Sequence, residues 1–156
     1  MNGSVKPLIG KIALVTGASR GIGKGIAISL SLAGATVYIT GRTTDEKSSA
    51  SGLEGNIHKT VEEIKQLGGN CVAIQCDHRN DQEVEKVFET ITKEHKQLDI
   101  LVNNVWGGYE HFTDGTEFWN EKEFWTQPLS RWDSMFASGV RAHYVSSVLA
   151  VPLMIL

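Results

Sequence analysis

The chain has 156 residues, of which 41% are hydrophobic and 21% charged, and its formal net charge is −3. This length suits one domain of ordinary size, which can bury roughly two-thirds of the surface that its unfolded chain exposes. A mildly acidic chain gives no electrostatic footprint for nucleic acid or for an anionic membrane surface, so we expect neither as a partner.

The cysteines and the two ends of the chain bear on its compartment. Cys71 and Cys76 are too few for a disulfide framework, which suits a reducing compartment. The N-terminal stretch has no long apolar core of the kind found in signal peptides. The stretch AHYVSSVLAVPLMIL is shorter than a membrane span and is interrupted by Pro152, so it predicts a buried amphipathic helix. We expect a cytoplasmic protein, the alternative being peripheral association with an intracellular membrane.

Strand and helix patterns alternate along the chain. Short apolar runs predict strands over 11–15, 36–40, 71–76 and 99–104. Apolar residues at helical spacing predict helices over 25–34, 56–69, 81–95 and about 130–151. Apolar strands joined by helical crossovers predict an α/β fold with a doubly wound parallel sheet. In such a sheet the ligand lies at the carboxyl ends of the strands.

A glycine-rich loop lies between the first strand and the first helix. Gly17, Gly21 and Gly23 let the backbone turn sharply and let a phosphate approach without interference from a Cβ atom. The following helix directs unpaired N–H groups at the same space, which favours a dinucleotide pyrophosphate. The alternative is a plain tight turn. A P-loop is excluded, because Ala18 replaces its first glycine and Gly25 its hydroxyl residue.

Two arginines indicate which dinucleotide fits. A site for NAD usually has an acidic residue at the end of the second strand, and this chain has Arg42 there. Arg20 lies within the glycine loop. Two guanidinium groups can form charge-assisted, forked hydrogen bonds with a ribose 2′-phosphate, which favours NADP(H) over NAD(H). The alternative is a pair of solvated surface arginines.

The motifs TGASRGIG and LVNN together resemble those of the short-chain dehydrogenase/reductase family. The resemblance implies a Rossmann-like fold, here incomplete, with four strands in the order 3-2-1-4 and without the later strands. Residues 1–156 would form the single N-terminal NADP-binding portion of such an enzyme. Val105 and Trp106 depart from the family's usual Asn-Asn-Ala-Gly. The resemblance implies that cofactor contacts come from Gly17, Ser19, Arg20, Gly21, Ile22, Gly23, Arg42, Asp77 and Asn103.

In that family a tyrosine transfers the proton, a lysine four residues later lowers its pKa, and a serine polarises the carbonyl. This chain contains no such pair, because Tyr38, Tyr109 and Tyr144 are followed four residues later by Arg, Thr and Val. Gly139 stands where many members have an asparagine. We therefore assign no catalytic residue and expect a C-terminally truncated chain.

The complete form is expected to transfer hydride between NADPH and a small-molecule carbonyl or alcohol, and a homo-oligomer remains open. The alternative is an inactive truncated isoform or fragment, at most a nucleotide-binding or interaction module. A fourth strand without its neighbour would form an exposed apolar edge, which predicts marginal stability.

Aromatic residues and histidines leave two further questions. The aromatic residues between Trp106 and Trp132 fit an apolar substrate wall and fit loop packing equally well. The five histidines show no metal-ligand spacing, so we predict no metal site.

Overall fold

Four parallel strands form one sheet: β1 (Ile12–Val15), β2 (Thr36–Gly41), β3 (Asn70–Gln75) and β4 (Ile100–Val102). Their order is β3-β2-β1-β4, which confirms the predicted order. This computed structural model describes residues 6–45, 53–108 and 123–155. Its helices are α1 (Gly21–Leu32), α2 (Ile57–Gln66), α3 (Asp81–His95), α4 (Leu129–Met135) and α5 (Ala142–Met154).

The central strand β1 fixes the register of the sheet. Leu14 pairs with Tyr38 of β2 on one side and with Leu101 of β4 on the other. All four residues of β1 are buried, as expected for a strand covered on both faces of a parallel sheet. The carboxyl ends of β1, β2 and β4 therefore meet at one edge of the sheet, where the loops that follow them can form a common site.

Two apolar layers cover the sheet. On one face, α1 and α2 pack against Ala13, Val15, Val37 and Ile39. On the other face, α3 and α5 pack against Leu14 and Tyr38. Because successive strand residues point to opposite faces, each strand contributes to both layers. The α/β doubly wound architecture predicted from the alternating pattern is confirmed.

Asparagine side chains cap the starts of α2 and α3. Asn56 caps α2 by accepting from the amide of Lys59, and Asn80 caps α3 by accepting from the amide of Gln82. The predicted bounds of α3 agree with the structure. The prediction for α1 was wrong at its start, because the helix begins at Gly21 rather than at residue 25. The first turn of α1 is therefore part of the glycine motif itself.

The predicted long helix near residues 130–151 is interrupted. A π-helical segment, Phe136–Arg141, separates α4 from α5, and a short 3-10 helix, Phe124–Thr126, precedes α4. The wider π-helical turn changes which side chains face the sheet on its two sides. Among the helices of residues 6–45, 53–108 and 123–155, none has the length and apolar character needed to cross a membrane.

Candidate functional site

A cavity of about 550 Å³ opens at the carboxyl ends of the strands, between the loops that follow β1, β2, β3 and β4. Eight of the nine residues predicted to contact a cofactor line it: Gly17, Ser19, Arg20, Gly21, Ile22, Gly23, Arg42 and Asp77. The ninth, Asn103, does not line the cavity, whereas its neighbour Asn104 does. The fold thus brings together residues from three separate parts of the sequence.

Two glycines of the loop, Gly17 and Gly23, have no space for a side chain. Gly17 has a φ of 68°, a left-handed conformation, and a Cβ atom there would lie 3.0 Å from Cα of Val105. A Cβ atom on Gly23 would lie 2.6 Å from the carbonyl oxygen of Gly17. Gly21, with a φ of 57°, begins α1, so the unpaired amides of the first turn face the cavity. The close backbone at Gly17 and Gly23 and the N-terminus of α1 suit a phosphate group.

Asn104 holds the glycine loop against the end of β4. Its side-chain amide donates to the carbonyl oxygens of Thr16 and Gly17, at 3.0 and 2.9 Å. Its backbone amide donates to the hydroxyl of Thr16 at 3.0 Å, and that hydroxyl donates to the carbonyl oxygen of Val102. Sequence reasoning singled out Asn103 and missed this role of Asn104.

Asn103 points elsewhere. Its side-chain amide donates to the hydroxyl of Ser147 on α5 at 3.0 Å. Its Oδ1 atom is buried and finds no hydrogen-bond partner within the part of the chain that the structure describes. Asn103 therefore contacts α5, whereas Asn104 contacts the glycine loop. Successive residues of an extended segment point to opposite sides, which explains the difference.

Arg20 and Arg42 form a region of positive charge at the end of β2. Arg20 donates from Nε to the carbonyl oxygen of Glu54 at 2.9 Å and from Nη2 to that of Gly55 at 2.6 Å. Burial lowers the pKa of Arg20, and the nearby charge of Arg42 lowers it further. Two like charges this close favour an anion between them.

Asp77 is held as a carboxylate in the loop that follows the adjacent strand β3. Burial raises its pKa, but hydrogen bonds from Arg79 and the charges of Arg79 and Arg42 outweigh that effect, so the pKa lies below its ordinary value. Arg79 donates to both carboxylate oxygens, at 2.6 to 3.2 Å. Asp77 therefore presents a fixed negative group to the cavity at neutral pH.

The arrangement matches that of a known family. The model of the short chain dehydrogenase family matches residues 11–155. The chain belongs to the short chain dehydrogenase family. It is 43% identical over 152 residues to dehydrogenase/reductase SDR family member 1 of Mus musculus, an alignment that covers 97% of this chain and 44% of the relative. The chain thus spans less than half the length of that curated relative.

Solved short-chain dehydrogenases share the fold. A metagenomic short-chain oxidoreductase in complex with NADP is 30% identical, with a TM-score of 0.75, and the match covers 96% of this chain and 58% of that one. A 7α-hydroxysteroid dehydrogenase complexed with NADH and 7-oxo glycochenodeoxycholic acid is also 30% identical, with a TM-score of 0.73, over 99% of this chain and 52% of that one. The two neighbours contain different nicotinamide cofactors, so the preference of this chain must be argued from its own residues.

Of the aromatic residues that the structure describes, Trp106 lies at the cavity. Trp106 lines it with 40% of its surface exposed, and its indole lies 3.4 Å from where a Cβ atom on Gly139 would be. Trp125 and Trp132 are largely exposed, and Trp132 stacks on Phe136 with ring centroids 4.0 Å apart. Four other members of the aromatic region lie outside the described residues: Tyr109, Phe112, Phe118 and Trp119. Both interpretations of that region, an apolar substrate wall and the packing of a long loop, therefore stay open. Trp106 itself faces the cavity.

The tyrosines that the structure describes lie away from the cavity. The hydroxyl of Tyr38 contacts Glu94 and lies 2.8 Å from Nε2 of His95, at the carboxyl-terminal end of α3. Tyr144 is 71% exposed on α5. Among the described residues, no group of three or more histidine, cysteine or acidic side chains could hold a metal ion.

Proposed function

We propose that this chain binds NADP(H) in the cavity at the carboxyl ends of its strands, as the nucleotide-binding part of a short-chain oxidoreductase. The observation that carries the proposal is that Arg20 and Arg42 both line the cavity beside a glycine loop in which Gly17 and Gly23 leave no room for a Cβ atom. When bound, the nicotinamide supplies hydride transfer to or from a carbonyl or alcohol carbon. Everything else that the site does comes from residues of this chain.

The glycine cradle binds and orients the pyrophosphate. The first-turn amides of α1 are directed at the space beside Gly17 and Gly21, and the helix dipole adds a partial positive charge there. Asn104 stabilises the loop before any ligand binds, because its amide satisfies the Gly17 carbonyl. A loop that is already ordered loses little conformational freedom on binding.

The two guanidinium groups select a phosphorylated ribose. Arg42 and Thr43 line the cavity next to Arg20, at the end of β2. A 2′-phosphate accepts charge-assisted hydrogen bonds from both arginines and reduces their mutual repulsion, whereas a 2′-hydroxyl does neither. Asp77 lies at the next loop, where its carboxylate can accept from the adenine amino group.

A second candidate function is nucleotide binding without turnover. None of the three tyrosines of the sequence has a lysine four residues later, so the chain offers no tyrosine whose pKa a lysine lowers on the next helical turn. In this alternative the chain binds NADPH but leaves a panel of aldehydes and ketones unreduced. Consumption of NADPH above background by the purified chain would exclude it.

The cofactor preference is tested by titrating the purified chain with NADPH and with NADH, and following nucleotide fluorescence. We expect NADPH to bind about tenfold or more tightly than NADH, since the two differ by one doubly contacted phosphate. Arg42→Ala should remove most of that difference, whereas Arg141→Ala, which removes an exposed guanidinium paired with Asp81, should not. Equal or tighter binding of NADH would refute the proposal.

A further inference from the structure

His78 lines the cavity and belongs to a buried polar cluster. Its Nε2 atom lies 2.7 Å from the hydroxyl of Thr40 on β2, and its Nδ1 atom lies 3.4 Å from the hydroxyl of Ser146 on α5. The exposed fractions of His78, Thr40 and Ser146 are 2%, 0% and 1%. One imidazole thus connects the sheet to the helix that covers it.

The connection needs a neutral imidazole. In the neutral ring one nitrogen donates and the other accepts, and hydroxyl groups can serve both. Burial, and to a smaller extent the nearby His143, lower the pKa of His78 to about 4, although Asp77 and Glu83 oppose the shift. The ring is therefore uncharged near neutral pH, and both of its nitrogens have partners.

The residue next to His78 is the carboxylate that lines the cavity. The loop after β3 is held by its backbone at Cys76, whose amide donates to the carbonyl oxygen of Gly41, and at Asp77, whose amide donates to Glu83. Among the described residues, His78 supplies the side chain that anchors this loop to both β2 and α5. With the ring fixed in the core, the neighbouring Asp77 is directed to the cavity.

Helix α5 anchors the loop after β4 in a similar way. Nε2 of His143 lies 2.8 Å from the carbonyl oxygen of Val105, and the hydroxyl of Ser147 accepts from Asn103. Polar groups on one helix thus hold two of the loops that form the cavity. The position of α5 and the shape of the cavity are linked through these contacts.

We propose that His78 is a positioning residue for nucleotide binding: its bridge between Thr40 and Ser146 fixes the loop that presents Asp77 to the adenosine end of the ligand. The proposal rests on the proposed function. Loss of the bridge should therefore lower the affinity for the adenosine half of the ligand and reduce the order of residues 76–80, while the rest of the sheet is unchanged.

The test compares two variants. His78→Leu replaces the imidazole with an apolar side chain of similar size, whereas His78→Gln provides a side chain with a donor and an acceptor. Affinity for adenosine 2′,5′-bisphosphate is measured by calorimetry, and amide hydrogen exchange is measured without nucleotide. His78→Leu removes both contacts of the bridge, and we expect it to bind the bisphosphate about threefold to tenfold more weakly. Amides 76–80 should exchange faster, and His78→Gln should recover part of both effects.

The matched control is His95→Leu, which removes the contact of His95 with the Tyr38 hydroxyl at the far end of α3. It should leave both readouts at wild-type values even if the melting temperature falls. Unchanged affinity and unchanged exchange in His78→Leu would overturn the proposal. If His78→Leu does not fold, Thr40→Val and Ser146→Ala each remove one end of the bridge, and wild-type values in both would overturn it.

The two proposals fail separately. If the wild-type chain does not bind the bisphosphate, the proposed function fails, and the exchange comparison still decides whether His78 orders the loop. If the wild-type chain binds and the His78 variants bind equally well, only the positioning role fails.

Discussion

The side-chain amide of Asn104 lies where a Cβ atom on Gly23 would have to be. That amide is fixed by its hydrogen bonds to the carbonyl oxygens of Thr16 and Gly17. The end of β4 and the first turn of α1 therefore compete for one small volume, and only a glycine at position 23 lets both occupy it. The packing of the protein itself therefore requires a glycine at position 23.

This relationship predicts that Gly23→Ala damages the fold and the site together. The added methyl group must displace Asn104 or the Gly17 carbonyl, and overpacking of this kind costs about 1–3 kcal/mol of unfolding free energy. Urea unfolding measures the stability, and NADPH titration measures the affinity, which should fall by about tenfold or more.

Gly25→Ala is the matched control for that variant, because a Cβ atom at Gly25 meets nothing within 4 Å. Alanine there should raise stability by up to about 1 kcal/mol through helix propensity. Similar behaviour of the two variants would contradict the steric explanation.

Substitution of the two neighbouring asparagines should have unequal effects. Asn104→Ala leaves the carbonyl oxygens of Thr16 and Gly17 without their donor, which costs about 1–3 kcal/mol. Asn103→Ala removes one hydrogen bond to Ser147 together with an oxygen that has no partner among the described residues, so its cost should be smaller. Chemical denaturation of both variants measures the difference. A larger loss in Asn103→Ala would show that the glycine loop does not depend on Asn104.

Arg20 is expected both to hold the segment 53–55 and to contact the ligand, and a lysine cannot do both. Its guanidinium donates to the carbonyl oxygens of Glu54 and Gly55 in one fork, and it faces the cavity beside Arg42. Arg20→Lys keeps the charge but loses the fork, so hydrogen exchange at residues 53–55 should increase and NADPH affinity should fall by about tenfold. Arg42→Lys is the comparison and should leave the exchange of residues 53–55 unchanged. Equal exchange in both variants would indicate that Arg20 does not hold this segment.

The buried His78 predicts a defined pH dependence of stability. Its pKa in the folded chain is about 4, below the value near 6.5 of an unfolded chain. The unfolded chain therefore binds the proton first as the pH falls, and stability decreases between about pH 6.5 and pH 4, by up to about 3 kcal/mol. Above pH 6.5 this contribution is fully present.

Unfolding free energies measured across that range, for wild type and His78→Leu, test the expectation. The variant should lose the decrease between pH 6.5 and pH 4, while acid unfolding below pH 4 remains. Protonation of Asp77, Asp81 and Asp99, whose pKa values are lowered in the folded chain, destabilises both proteins alike from about pH 5 downward. Parallel curves for the two proteins would contradict the assignment.

The sequence predicted the sheet and most of the cavity because those features depend on local patterns. Strands with apolar runs, glycines at a strand end and arginines at fixed positions can be recognised without knowing what they contact. The start of α1 was not predicted, since glycines have low helix propensity and the helix begins at one.

The role of Asn104 was missed for a different reason. Which of two successive residues faces the glycine loop depends on strand register, and register is a property of the paired strands. The sequence showed only that the five histidines lack metal-ligand spacing, and the contact of His78 with Ser146 of α5 joins residues 68 positions apart. Such contacts across the chain become visible only when the elements are packed.

The bond between Asn104 and Gly17 joins residues 87 positions apart. During synthesis the glycine loop is made early, but the donor that satisfies its carbonyl and the strand that pairs with the second edge of β1 are made much later. Closing so long a loop has an entropic cost before its contacts form, which slows folding of parallel sheets. A nascent chain therefore exposes an unfinished glycine loop until β4 emerges.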